Sequence, residues 1–214
     1  MSLRSGSYLR TGVTALTKEP LMLQAARSAV VLVDYQQRLM PAIHAGDRAV
    51  DEAVFLARVA RALGIPVIGT EQNPDKLGPN DERIRSLCDR IMPKMYFGAA
   101  AQGLADLIWS FSRDIDQVVI GGCEAHVCML QTAIGLQHAG LRVFVVPGAC
   151  GSRRAVDKQL AMQRLAQGGA ILTAAEMAAF EWMQSATHPR FREVQALIKD
   201  RPVAPMPADP AASP

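Results

Sequence analysis

The chain has 214 residues, half of them hydrophobic and a fifth charged, which is the composition of a folded protein with a substantial core. Its net charge of +3 is scattered over 23 basic and 20 acidic side chains, with no basic run or aromatic-interleaved patch, and this argues against a nucleic-acid surface. No apolar stretch is longer than a strand, so no transmembrane helix is available, and four cysteines are too few for a disulfide scaffold.

The first twenty residues, MSLRSGSYLRTGVTALTKEP, lack the apolar centre and cleavage site of a secretory signal and read as an N-terminal extension over 1–20. The stretch AVVLVDY (29–35) is a continuous apolar run, as expected of a parallel strand buried on both faces. DRAVDEAVFLARVARALG (47–64) follows with helical spacing and stops on Gly64. IPVIGT (65–70) is the second expected strand and DRIMPK (89–94) a short third. AQGLADLIWSF (101–111) reads as a helix and DQVVIGG (116–122) as the fourth strand. EAHVCMLQTAIGLQHAG (124–140) is a helix, LRVFVVPG (141–148) the fifth strand, AVDKQLAMQRLAQGG (155–169) a helix, and AILT (170–173) begins the last strand. THPRFREVQALIKD (187–200) reads as a peripheral helix, packed on the domain or on a neighbouring subunit, and the Pro/Ala-rich RPVAPMPADPAASP (201–214) as a disordered tail. Strands alternating with helices imply one α/β domain over 21–200 with a mostly parallel sheet and helices on both faces.

In open parallel sheets, ligands bind outside the carboxyl ends of the strands. Asp34 stands at the end of the first strand, Thr70, Glu71 and Gln72 at the second, and Lys94 at the third. Gly121, Gly122 and Cys123 end the fourth, Cys128 lies just beyond it, and Cys150, Ser152 and Arg153 end the fifth. Each has an ordinary reading: Asp34 as a helix cap, Lys94 as a solvated loop residue, Cys128 as a packed thiol. Pro41 and Gly46 weaken the first by delaying the next helix. Together an acid, a lysine and a thiol at one rim form a constellation, in which the lysine and a helix N-terminus are expected to lower the thiol pKa.

These residues, in this order, resemble the isochorismatase-like cysteine hydrolases, a superfamily that includes nicotinamidases and N-carbamoylsarcosine amidases. VDYQ (33–36), PKMYFGA (93–99), IGGCEAHVCMLQTA (120–133) and LRVFVVPGACGSR (141–153) carry the resemblance, and TEQNPDKLG (70–78) points to the branch of isochorismatase domain-containing proteins. The resemblance implies a three-layer, doubly wound fold with a six-stranded sheet of order 3-2-1-4-5-6. It implies Asp34 as base, Lys94 as positioning cation and Cys128 as nucleophile, a cis peptide before Glu124, and an oxyanion hole from the N–H groups of Glu124 and Cys128. Gly121 and Gly122 suit a tight turn at that peptide. Cys123 reads as a bystander. Nicotinamidases carry a histidine in a metal site after the second strand, and TEQNPDKLG has none, so no metal or other cofactor is expected.

The expected activity is cysteine-dependent hydrolysis of a small amide or related acyl compound through a thioester. Tyr35, Gln36, Glu71, Gln72, Tyr96, Phe97 and Arg153 are candidate substrate-binding residues. Two alternatives stay open: isochorismate-type vinyl-ether cleavage, which needs no thiol, and a non-catalytic or thiol-redox protein on the same fold, suggested by Cys123, Cys128 and Cys150 at one rim. A small-molecule substrate, a cytoplasmic location with reduced thiols, and a homo-oligomer (dimer or tetramer) complete the expectation.

Overall fold

In the computed structural model, which describes residues 22–201, Ser28–Val33 forms β1 with all six residues buried. The expected extension over 1–20 and the tail beyond Arg201 lie outside the described residues. After β1 come α1 (Gly46–Ala62), β2 (Val67–Gln72), the short helices α2 (Pro74–Leu77) and α3 (Glu82–Arg85), and β3 (Arg90–Lys94). Then follow α4 (Leu104–Trp109), β4 (Gln117–Cys123), α5 (Leu130–His138), β5 (Arg142–Gly151), α6 (Ala155–Gln167), β6 (Ile171–Leu172), α7 (Ala175–Met183) and α8 (Phe191–Lys199). The six strands form one parallel sheet of order β3-β2-β1-β4-β5-β6, as the resemblance implied.

Helices cover both faces of the sheet because its central strands are apolar on both sides. One core cluster joins Val30, Leu32 and Val119 to α1, α7 and α8; the other joins Val31, Val33 and Ile120 to α4, α5 and α6. The peripheral helix expected over 187–200 is α8, which seats Val194, Leu197 and Ile198 in the first cluster. α7 was not expected; its Ala-rich sequence buries Ala175, Ala178, Ala179 and Trp182, and the Trp182 indole donates to Ser28 Oγ at 3.0 Å. Three further expectations are refined. The helix over 101–111 breaks at Gly103 (φ 95°), the helix over 124–140 opens with a π-helical turn, Ala125–Met129, and β5 runs on to Gly151.

The pair Gly121–Gly122 lies inside β4 rather than in a turn. β4 runs beside β1, with Leu32 opposite Gly121 and Val33 opposite Gly122. A Cβ on Gly122 would stand 2.5 Å from Val33 Cβ, and one on Gly121 would stand 2.7 Å from Ala149 Cβ. The two glycines therefore serve close approach, not turning. Gly122→Ala is expected to lower stability by about 1–3 kcal/mol through overpacking, measured by urea unfolding; an unchanged midpoint would show that the strands relax at no cost.

Candidate active site

The chain leaves β1, passes outward through β2 and β3, and returns as β4 on the other side of β1. This reversal puts the ends of β1 and β4 side by side at the switch point, where a crevice forms. Asp34 follows β1 in a left-handed backbone conformation (φ 55°), and its N–H donates to the Thr70 carbonyl at 3.2 Å. Its carboxylate is fully buried and accepts from Thr70 Oγ1 at 2.7 Å and from Lys94 Nζ at 2.7 Å.

Lys94 ends β3 and is as deeply buried as its partner. Its ammonium also donates to Gln72 Oε1 at 2.8 Å and to the carbonyls of Phe97 and Tyr96 at 3.1 and 3.3 Å. A buried ion pair is tolerated only when its remaining donors and acceptors are satisfied, and here they are.

Cys128 sits in the π-helical turn that follows a cis peptide between Cys123 and Glu124. Cys128 is 8% exposed, and the Asp34 carboxylate is near enough to act on its thiol. The acid, lysine and thiol, separated by tens of residues in sequence, thus meet in one buried cluster.

A family model described as an isochorismatase domain matches residues 28–177. The chain belongs to the isochorismatase family. Isochorismatase domain-containing protein 2A of Mus musculus is 34% identical over 173 residues, covering 81% of this chain and 83% of that protein. Among solved structures, that of MAR1 ribonuclease from Caenorhabditis elegans has a TM-score of 0.79 at 31% identity, covering 86% of this chain and 96% of that one. The YcaC gene product of Escherichia coli, described as an octameric hydrolase of unknown specificity, shares the fold with a TM-score of 0.72 at 22% identity, covering 86% of this chain and 97% of that one.

One expectation about this isochorismatase-family site is overturned. The Cys128 thiol was expected to be acidified, whereas it is pushed up to about 12. Burial is the largest cause, and the Asp34 carboxylate facing the sulfur adds to it; Lys94 opposes both but is outweighed. Lys94 is already committed to Asp34, so the pair presents little net positive charge to the sulfur. The resting thiol is therefore protonated.

Several of the residues expected to bind substrate also make bonds within the protein. The left-handed backbone at Asp34 breaks the alternation of β1, so Tyr35 turns into the α1-side core with Leu32, where its hydroxyl donates to the Ala149 carbonyl. The Gln36 amide is consumed by Gln72 and Gly78. Glu71 accepts from the Asn80 N–H at 2.9 Å, and the Gln72 side chain joins Lys94 to the Met95 carbonyl. Tyr96 and Phe97 are 63% and 55% exposed, and Arg153 is exposed beside Glu124 with Nε 3.1 Å from Oε1.

Thr70, which the sequence places at a strand end without a role, stands in register with Val33, next to Asp34, and only that pairing brings its hydroxyl to the carboxylate. Cys123 and Cys128 belong to opposite core clusters, so they share no ligand site with His126, whose Nδ1 lies 3.0 Å from Ser152 Oγ. Among the described residues no group of three or more His, Cys, Asp or Glu is placed to hold a metal.

Lys94→Met leaves the Asp34 carboxylate buried without its cation and is expected to lose about 3–5 kcal/mol of stability. Adding Asp34→Leu should recover much of that loss. Urea unfolding of both single variants and the double variant checks this, and a double-variant loss equal to the sum of the two single losses would show that the pair is not coupled.

Proposed function

We propose that this isochorismatase-family chain is a cysteine hydrolase of a small amide or related acyl compound, with Asp34, Lys94 and Cys128 as its working residues. The observation that carries this reading is the fully buried Asp34 carboxylate, held by Lys94 Nζ at 2.7 Å and standing at the end of β1 beside β4, the strand that leads into the Cys128 turn. The Cys128 proton passes to Asp34 as the sulfur attacks the substrate carbonyl carbon. The N–H groups of Glu124 and Cys128 then hold the oxyanion, each contributing about 3 kcal/mol in comparable sites. Asp34 gives the proton to the leaving amine as the C–N bond breaks, leaving a thioester on Cys128. Water, deprotonated by Asp34, adds to the thioester and releases the acid, and the proton returns to sulfur. Lys94 touches neither sulfur nor substrate in this scheme; it orients Asp34.

Tyr96, Phe97 and Arg153 remain candidates for selecting the substrate. The exposed Met95–Tyr96–Phe97 loop and the oligomeric YcaC neighbour support a homo-oligomer in which a second copy covers that loop. Four free cysteines suit a reducing compartment.

The family's name favours a second reading, vinyl-ether cleavage, in which Cys128 has no covalent role. The ribonuclease named among the neighbours raises RNA as a substrate. A cluster as buried as this one, on a chain without a basic track, suits a small molecule better.

Two measurements test the reading. Cys128→Ala is expected to abolish turnover in a screen of small amides, carbamoyl compounds and isochorismate, and undiminished hydrolysis would rule out the thioester. The second uses pH. A pKa raised to about 12 keeps the thiol protonated well above the ordinary range, so iodoacetamide should label Cys128 about tenfold faster per pH unit from roughly pH 7 to 10. Turnover should stay nearly flat between roughly pH 7 and 9, because Asp34 removes the proton within each cycle. Turnover rising in parallel with labelling would mean that the free thiolate, not the Asp34-coupled thiol, is the attacking species.

A further inference from the structure

Away from the Asp34–Lys94–Cys128 cluster, a cavity of about 710 Å³ lies between the N-terminal parts of α1 and α6, over the end of β5. Its walls include Gly148, Cys150 and Ser152 from the β5 end, but none of the three working residues of the proposed hydrolase. The volume is that of a pocket for a small organic molecule.

The charges around this cavity do not cancel. His44 and Arg48 line it from one side and Lys158 from the other. Two acids, Asp51 and Glu52, are also in the wall, but both are occupied. Asp51 pairs with Arg83 at 3.0 Å, and Glu52 pairs with Arg201, which also reaches Glu176 and lies over the Phe55 ring. Among the described residues, no carboxylate lies within ion-pair distance of Arg48 or Lys158. Asp47 and Asp157, in the first turns of α1 and α6, do not line the cavity.

The backbone adds to this imbalance. Both α1, of 17 residues, and α6, of 13, begin at the cavity, where Ala45 and Ala155 form part of its wall. Neither helix start is capped by a side chain, because Ala45 and Arg154 occupy the cap positions without a side-chain bond. The Gly46 N–H at the start of α1 donates to the Ile43 carbonyl at 3.1 Å, but the positive ends of both helix dipoles still face the cavity and favour an anion there. Beside these polar groups, Ala49 and Phe55 give an apolar wall.

We propose that this cleft is a second ligand site, for a small organic phosphate whose anionic group lies between Arg48, Lys158 and the two helix starts. A tetrahedral anion with several oxygens can meet donors converging from opposite walls, and the organic part lies along Ala49 and Phe55. The proposal is independent of the hydrolase reading.

Calorimetric titration of the full chain with inorganic phosphate and with adenosine diphosphate tests it. Saturable binding of at least one probe is expected, undiminished in Cys128→Ala and weakened at least about tenfold in the double variant Arg48→Gln/Lys158→Gln. Thermal unfolding without ligand confirms that the double variant folds; if it does not, Arg48→Gln alone serves for the comparison. Absence of saturable binding by both probes at millimolar concentration would overturn the site, as would equal affinity in the charge-neutralised variant. Loss of binding in Cys128→Ala would also overturn it, by moving the ligand to the other cluster. Loss of amide turnover in that variant tests the hydrolase reading separately.

Discussion

The ion pair between Asp34 and Lys94, at 2.7 Å and fully out of solvent, is the constraint around which the rest of the site is built. Two opposite charges this deep are stable only if every remaining polar position is used. Thr70 supplies a hydroxyl from β2, the strand between the two partners, and Gln72 supplies its amide oxygen. The chain after β3 must then curl back so that the carbonyls of Tyr96 and Phe97 reach the ammonium. That same curl leaves the aromatic rings of both residues outward, at the surface. One electrostatic requirement thus sets three strand ends and the shape of a loop.

The thiol sits against this pair as a third, uncharged member. Burial and the facing carboxylate both favour its protonated form, and Lys94 is already engaged. In the proposed mechanism this is an advantage: an acceptor for the proton stands near the sulfur before substrate arrives. Nucleophile activation then depends on geometry, with a base held in place by a cation, rather than on a standing negative charge in a dry site. Cys88 and Cys150 are also held above the ordinary thiol range, and burial is the first cause in both. A thiol-redox reading therefore finds no acidified sulfur among the described residues.

Bringing Asp34 and Cys128 together needs close contact between β1 and β4, and glycine supplies it. Val33 packs against the backbone at Gly122, and Ala149 against Gly121, at separations that leave no room for a Cβ. The parallel connection also turns the N-termini of α1 and α6 toward the carboxyl rim of the sheet. The proposed phosphate cleft lies near β5 for the same topological reason that the Asp34–Lys94–Cys128 cluster lies near β1 and β4.

Much of the fold was readable in the order of residues, because a strand covered on both faces must be apolar throughout and its crossover helix must be amphipathic. AVVLV, VVI and VFVV announced buried parallel strands, and the acid, lysine and thiol at their ends marked the rim that carries the site. The strand order and the cis peptide were legible only through family resemblance, since no local pattern encodes them. α7 escaped notice because an Ala-rich helix between short loops has little amphipathic contrast. Tertiary structure alone decided which groups each polar residue faces. It turned Tyr35 into the core, spent Gln36 and Gln72 on scaffold bonds, and set Asp34 between Lys94 and the Cys128 sulfur. The protonation state of that thiol depends on burial and on charges from distant strands, and these exist only once the sheet has assembled.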